Sequence, residues 1–144
     1  MSLIPKATVA DAPVIATLFD ALGYPGTKDF IHDKILQLTC HPDEHLLVCA
    51  EEQTVIGVIS LHFIPQLALR GDFCRINYVC VDSQQRGKGT GKLLKKYAAR
   101  LAKEKGCDRL EVHCHSRRTD AHRFYSRQGY TESQIYFVKT LSRN

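Results

Sequence analysis

The chain has 144 residues, enough for one domain with a real core, and it is read as a single domain over 1–144. Apolar residues make up 44% and charged residues 24%, an ordinary globular balance with no low-complexity segment, linker or internal repeat. The net charge of +5 is uneven: residues 1–63 hold 3 basic and 8 acidic side chains (−5), residues 64–144 hold 17 and 7 (+10).

In chain order, Leu3 to Thr8 is expected as a first strand. Asp11-Ala12-Pro13 signals a helix start with Asp11 as N-cap, and Val14, Ile15, Leu18, Phe19 and Leu22 recur at helical spacing until Gly23. Thr27 is expected to cap a second helix carrying Phe30, Ile31, Ile35 and Leu38, which His41-Pro42-Asp43 ends. His45 to Ala50 and Thr54 to Phe63 read as a hairpin, and Phe73 to Val81 as a central strand after a loop with Pro65 and Gly71. Lys88 to Lys105 is the long helix, with Leu93, Leu94, Tyr97, Ala98, Leu101 and Ala102 as its apolar stripe and Lys92, Lys95, Lys96, Arg100 and Lys103 facing water. Arg109 to Cys114 is expected as a strand, Thr119 or Asp120 as the cap of a short helix to Arg127, and Tyr136 to Leu141 as a last strand. The order βααβββαβαβ predicts a mixed, mostly antiparallel sheet with helices on its faces, an α/β or α+β domain.

The longest apolar run, Val55 to Ile64, is interrupted by Gly57, Ser60 and His62 and falls short of the roughly 20 residues a membrane helix needs. The first residues lack a signal peptide's apolar core, so a cytoplasmic protein without a membrane role is expected. Six cysteines without a C-x-x-C pair read as buried free thiols in a reducing compartment. His113-Cys114-His115 and Cys40-His41…His45…Cys49 lack zinc spacing, and no metal is expected.

Chemistry concentrates after Val81. Glycines at 87, 89 and 91 stand between the central strand and the long helix. Glycine lets the backbone turn tightly, and a helix start offers unbonded N–H groups and a positive dipole end, so the stretch is a cradle for a phosphate or pyrophosphate. Basic Arg86, Lys88 and Lys92 agree with an anionic ligand. The basic residues cluster from Arg86 to Lys105, which favours a small polyanionic cofactor over nucleic acid. Neither the G-x-G-x-x-G fingerprint nor the Walker pattern is met, because Leu93 stands where Ser or Thr should. The pattern that is met is R-x-x-G-x-G, as Arg86, Gly89 and Gly91.

That motif resembles the acyl-CoA-binding motif of the GNAT N-acetyltransferase superfamily. About 30 residues on, Ala121-His122-Arg123-Phe124-Tyr125-Ser126-Arg127-Gln128-Gly129-Tyr130 is similar to the superfamily's A-x-x-F-Y-x-x-x-G-[FY] segment. The resemblance implies acetyl-CoA as cosubstrate and a small-molecule primary amine as acceptor, acetylated by direct attack in a ternary complex. It implies a V-shaped gap beside the central strand, with Val79, Cys80 and Val81 flanking the pantetheine. The backbone of Arg86, Gly87, Lys88, Gly89, Thr90 and Gly91, with Lys92 beside it, would hold the pyrophosphate. Tyr125 matches the tyrosine that protonates the departing thiolate. The region 117–125 is also similar to aminoalkylphosphonate and aminoglycoside-type acetyltransferases. Homodimers are common in the superfamily and are an expectation for this chain.

One departure stands out. Many relatives carry Glu or Asp where this chain has Asn77 and Tyr78, and asparagine takes no proton. His62, Asp72, His113, His115, water or an already neutral amine stand as alternatives for the base. The acceptor site is expected from the first two helices and the loop Ile64 to Asp72. A non-catalytic acyl-CoA-binding sensor is the competing reading.

Overall fold

The computed structural model describes residues 2–112, 123, 125–131 and 137–141. Its contacts group the chain into two compact units, Met1–His113 and Cys114–Asn144.

The first unit is a mixed sheet with helices on both faces. Five strands lie in the order β1-β2-β3-β4-β5: β1 (Ser2–Leu3), β2 (Glu44–Glu51), β3 (Thr54–Ile64), β4 (Asp72–Val81) and β5 (Cys107–Val112). The first three pairings are antiparallel, and β4 with β5 is parallel. The expected first strand shrinks to two residues plus an isolated bridge, Lys6 to Leu47, because Pro5 cannot donate to a ladder.

Helix α1 (Ala12–Leu22) starts at the Pro13 signal and ends on Gly23, whose φ of 105° only glycine adopts without strain. Asp11 is the N-cap residue of α1, as expected, but makes no side-chain cap bond to it. Its carboxylate reaches back to the Thr8 N–H (2.8 Å) and closes a capping box on the 3-10 turn Val9–Asp11. Thr27 likewise opens a 3-10 turn, Thr27–Asp29, and is buried, so α2 (Ile31–Thr39) begins four residues later than its supposed cap.

Two apolar layers sandwich the sheet. On one face α3 (Thr90–Glu104) lays Leu94, Ala98 and Ala102 against Leu47, Ile59, Leu61 and Ile76. On the other, Ile15, Leu18, Phe19 and Ile35 of α1 and α2 pack on Leu46, Val48, Val58 and Cys80. Lys95 corrects the helical-face reading of α3: it is 3% exposed. At the base of β4, Gly71 donates its N–H to Asp108 Oδ2 (2.8 Å), and any Cβ there would overlap that carboxylate.

Two bulges set the register. Between Cys49 and Ala50 the β2–β3 pairing slips by one, with the extra residue at Ile56. Between Ser60 and Leu61 the β3–β4 pairing slips again, with Asn77 as the extra residue. Each slip reverses which side chains face which layer.

In the second unit Arg123 and Tyr125–Arg127 are helical, and Gly129 (φ 86°) follows. The N–H groups of Gln128 and Tyr130 both donate to Tyr125 O at 3.0 Å. The expected caps Thr119 and Asp120 lie outside the described residues, as does Tyr136. Residues 137–141 have no regular secondary structure, unlike the strand expected there, and no ladder partner for them is described.

Candidate active site

The Asn77 bulge re-aims the end of β4. Among the described residues the β4–β5 ladder runs to Ile76↔Val112, and Tyr78 to Val81 pair with β3. The bulge flips the side chains. Ile76 faces α3, whereas Cys80 faces α1 and α2, and Val79 and Val81 pack toward the α3 layer. Cys80 is 4% exposed, with its thiol donating to Leu18 O at 3.2 Å. It therefore seals the strand against α1.

At the end of β4, Asp82 donates its N–H to Ile56 O (2.8 Å) and its Oδ1 accepts from the Gln84 N–H (2.9 Å). These bonds fix a 3-10 turn, Ser83–Gln85, ahead of Gly87 (φ 81°) and Gly89 (φ 86°). Gly89 is the N-cap of α3 and its carbonyl accepts the first helical bond, from Leu93 (2.9 Å). The N–H groups of Thr90, Gly91 and Lys92 therefore point out of the helix end. Arg86 and Lys88 spend theirs on turn bonds to Ser83 O (3.5 Å) and Gln85 O (3.3 Å), so the donor set is narrower than the stretch 86–91 expected from sequence. Gly91 is an ordinary second helical residue without positive φ. Arg86, Lys88 and Lys92 are exposed around this donor set. Gln85, Lys88, Gly89, Thr90 and Leu93, with Glu51 of β2, line a cleft of about 300 Å³ there. Converging N–H donors, a helix dipole and mobile cations are what a pyrophosphate requires, so the residues present fit that group.

Gly57, not singled out from the sequence, seats this turn. A Cβ on it would stand 3.2 Å from Leu94 Cδ1, 3.3 Å from Cys80 O and 3.4 Å from Thr90 Cγ2. Its missing side chain lets the first turn of α3 lie against β3. A glycine inside an apolar strand run is the signal that could have found it.

The face of α1 and α2 shows a second pattern. Phe19, Tyr24 and Tyr78 meet edge to face, with ring centroids 5.4, 5.6 and 6.1 Å apart. Beyond them a polar row crosses four strands in register: Glu44↔His62, His62↔Arg75, Arg75↔Glu111. His62 Nδ1 is 2.5 Å from Glu44 Oε1, and Arg75 Nε and Nη2 donate to Glu111 Oε1 at 3.3 and 3.2 Å.

The base alternatives now separate. Asp72 pairs with Cys107 at the opposite end of β4, five residues or roughly 17 Å from the bulge, too far to serve. The loop between Ile64 and Asp72 lies at that same far end, which removes it from the Val79–Val81 segment. His113 and His115 lie outside the described residues. His62 is on the face and near the level of Tyr78. Among the thiols, burial with Cys107 nearby pushes Cys74 up to about 12, and burial with Asp72 nearby raises Cys107, so neither is a nucleophile at neutral pH. Among the described residues no three His, Cys, Asp or Glu side chains gather as a metal site. No helix of the described residues is long and apolar enough to cross a membrane. Tyr125, in the second unit, is half-buried with its ring edge-on to Tyr130 at 5.5 Å.

The family model described as Acetyltransferase (GNAT) family matches residues 15–130. The chain belongs to the GNAT acetyltransferase family. Family membership makes it an N-acetyltransferase. It is 30% identical over 130 residues to an aminoalkylphosphonate N-acetyltransferase of Salmonella typhimurium, covering 90% of this chain and 82% of that one. Its fold matches a GNAT family acetyltransferase of Staphylococcus aureus with a TM-score of 0.82 at 22% identity, over 97% and 98% of the two chains. It also matches an aminoglycoside N-acetyltransferase in complex with CoA, with a TM-score of 0.84 at 13% identity, over 97% and 95%. GNAT acetyltransferases take acetyl-CoA as acyl donor, and the α3 turn of this acetyltransferase carries the family's R-x-x-G-x-G motif.

Proposed function

We propose that the protein transfers the acetyl group of acetyl-CoA to the primary amine of a small molecule, by direct attack in a ternary complex. The observation that carries this reading is the glycine turn at the end of β4, where the unbonded N–H groups at the start of α3 stand among Arg86, Lys88 and Lys92. The backbone at Val79, Cys80 and Val81 takes the pantetheine amides. The N–H groups of Gly87, Gly89, Thr90, Gly91 and Lys92 take the pyrophosphate, with Arg86 and Lys88 as outer cations. Tyr125 gives its phenolic proton to the CoA thiolate as the C–S bond breaks. A phenol near pKa ~10 is a competent donor when a hydrogen bond to the sulfur is already formed. The Salmonella relative's name supports an acceptor that carries an acidic group beside its amine. The reading places one catalytic domain over 1–144, working in the cytoplasm, with a homodimer as its assembly.

The test is release of CoA thiol with acetyl-CoA and a panel of amines, alongside calorimetry of acetyl-CoA binding. Turnover with at least one small amine is expected. Asn77, a non-carboxylate on β4, favours a second reading, a non-catalytic acyl-CoA sensor. Tight acetyl-CoA binding without product from any amine would establish it instead.

A further inference from the structure

The strand that feeds the cofactor turn offers no carboxylate at Asn77 or Tyr78, yet an amine that arrives as an ammonium must lose a proton before it attacks. The neighbouring strand supplies a group for that. The Ser60↔Tyr78 pair lies two residues before His62 on β3, so His62 is roughly 7 Å along the same face from Tyr78. Its side chain is 32% exposed, open to a bound molecule, whereas that of Glu44 behind it is 11% exposed. His62 Nδ1 lies 2.5 Å from Glu44 Oε1, too close for two bare lone pairs, although the contact lacks the geometry of a regular hydrogen bond. A neutral imidazole whose Nδ1 carries the proton toward Glu44 has its lone pair on Nε2. Glu44 Oε2 is buried with no hydrogen-bond partner among the described residues.

The other groups around the ring fit the role. The His41 ring meets it edge-on at 6.2 Å, with its own Nδ1 accepting the Asp43 N–H at 3.0 Å. Arg75, in register with His62, is neutralised by Glu111, which a second guanidinium, Arg109, approaches at 3.7 Å.

From this geometry we propose that His62, oriented by Glu44, is the general base of the acetyl transfer, acting directly or through one water. The proposal rests on the acetyltransferase reading above. His62 Nε2 takes one proton from the ammonium of the acceptor and passes it to solvent. The amine lone pair then forms the C–N bond at the thioester carbonyl, the C–S bond breaks, and the second amine proton balances the one Tyr125 gives to the thiolate. The products are the acetamide, CoA thiol and one released proton.

Three measurements test it on the full chain. In His62→Gln, kcat/KM at pH 7 for an amine the wild type acetylates should fall roughly 100-fold or more, recovering toward alkaline pH where the amine is neutral unaided. The acetyl-CoA Kd by calorimetry should not move. Glu44→Gln should retain more activity than His62→Gln and shift the acid limb of the pH profile, which a purely structural pair would leave in place. Nitrogen-15 NMR of the wild-type imidazoles should show the neutral His62 ring protonated on Nδ1 and bare on Nε2. Wild-type turnover that His62→Gln leaves intact across pH overturns the base and spares the acetyltransferase reading, as does a neutral ring protonated on Nε2. A wild type that binds acetyl-CoA yet acetylates no amine overturns the acetyltransferase reading itself, and the base with it.

Discussion

Single side chains carry the chemistry, and two of them make separable predictions. Tyr125→Phe removes one oxygen and leaves the ring that meets Tyr130 edge-on. If the phenol protonates the leaving thiolate, kcat should fall roughly 100-fold while the acetyl-CoA Kd stays at the wild-type value, read by thiol release and calorimetry. His45 acts on stability instead. It sits on β2 with its ring 5.1 Å from that of Phe63, and burial, then Lys105, then Lys6, holds its pKa below the usual 6.5. The folded protein thus binds a proton at His45 less readily than the unfolded chain. The stabilisation is complete above pH 6.5 and is lost as the pH falls below that value toward the folded pKa. Denaturant melts between pH 7 and pH 5 should show this loss, and His45→Gln should flatten it.

Elements place those side chains, and here the bulges decide more than the strands. The helices, the hairpin and the long helix after the glycine turn were legible from apolar spacing, Pro13, Gly23 and the three glycines, since these act locally. The two one-residue slips were not, because a bulge is fixed by packing on both faces at once. Without the slip at Ile56, Glu44 would stand opposite Leu61 instead of His62; without that at Asn77, Tyr78 would keep the face of Ile76. The cofactor turn was therefore readable in sequence, whereas the Glu44–His62 pair, the aromatic trio and the role of Gly57 depend on register and on contacts between distant segments. Gly57→Val would press on Leu94, Thr90 and the fixed carbonyl of Cys80, displacing the first turn of α3. Acetyl-CoA affinity should fall about 10-fold or more, some 1.4 kcal/mol, by calorimetry. At the hairpin between β2 and β3, Glu52 and Gln53 hold φ of 51° and 67°, a region costly for residues with a Cβ. Gln53→Gly should raise the unfolding free energy by about 1 kcal/mol, measured by chemical denaturation.

At the scale of the whole molecule, charge and topology agree. The excess positive charge lies in the half of the chain after residue 63, which holds the α3 turn, while the acidic N-terminal half supplies α1, α2 and the Glu44–His62 edge. The family match over residues 15–130 takes in both the α3 turn and Tyr125, so sequence relationship joins what the two motifs suggested separately. The account stands on chemical transfer, and the most direct measurement follows CoA thiol and acceptor mass together, with saturating acetyl-CoA and a panel of small amines that includes aminoalkylphosphonates. It predicts thiol released in step with an acceptor gaining one acetyl group. Thiol release no faster than spontaneous hydrolysis across the whole panel, with acetyl-CoA bound, would contradict it.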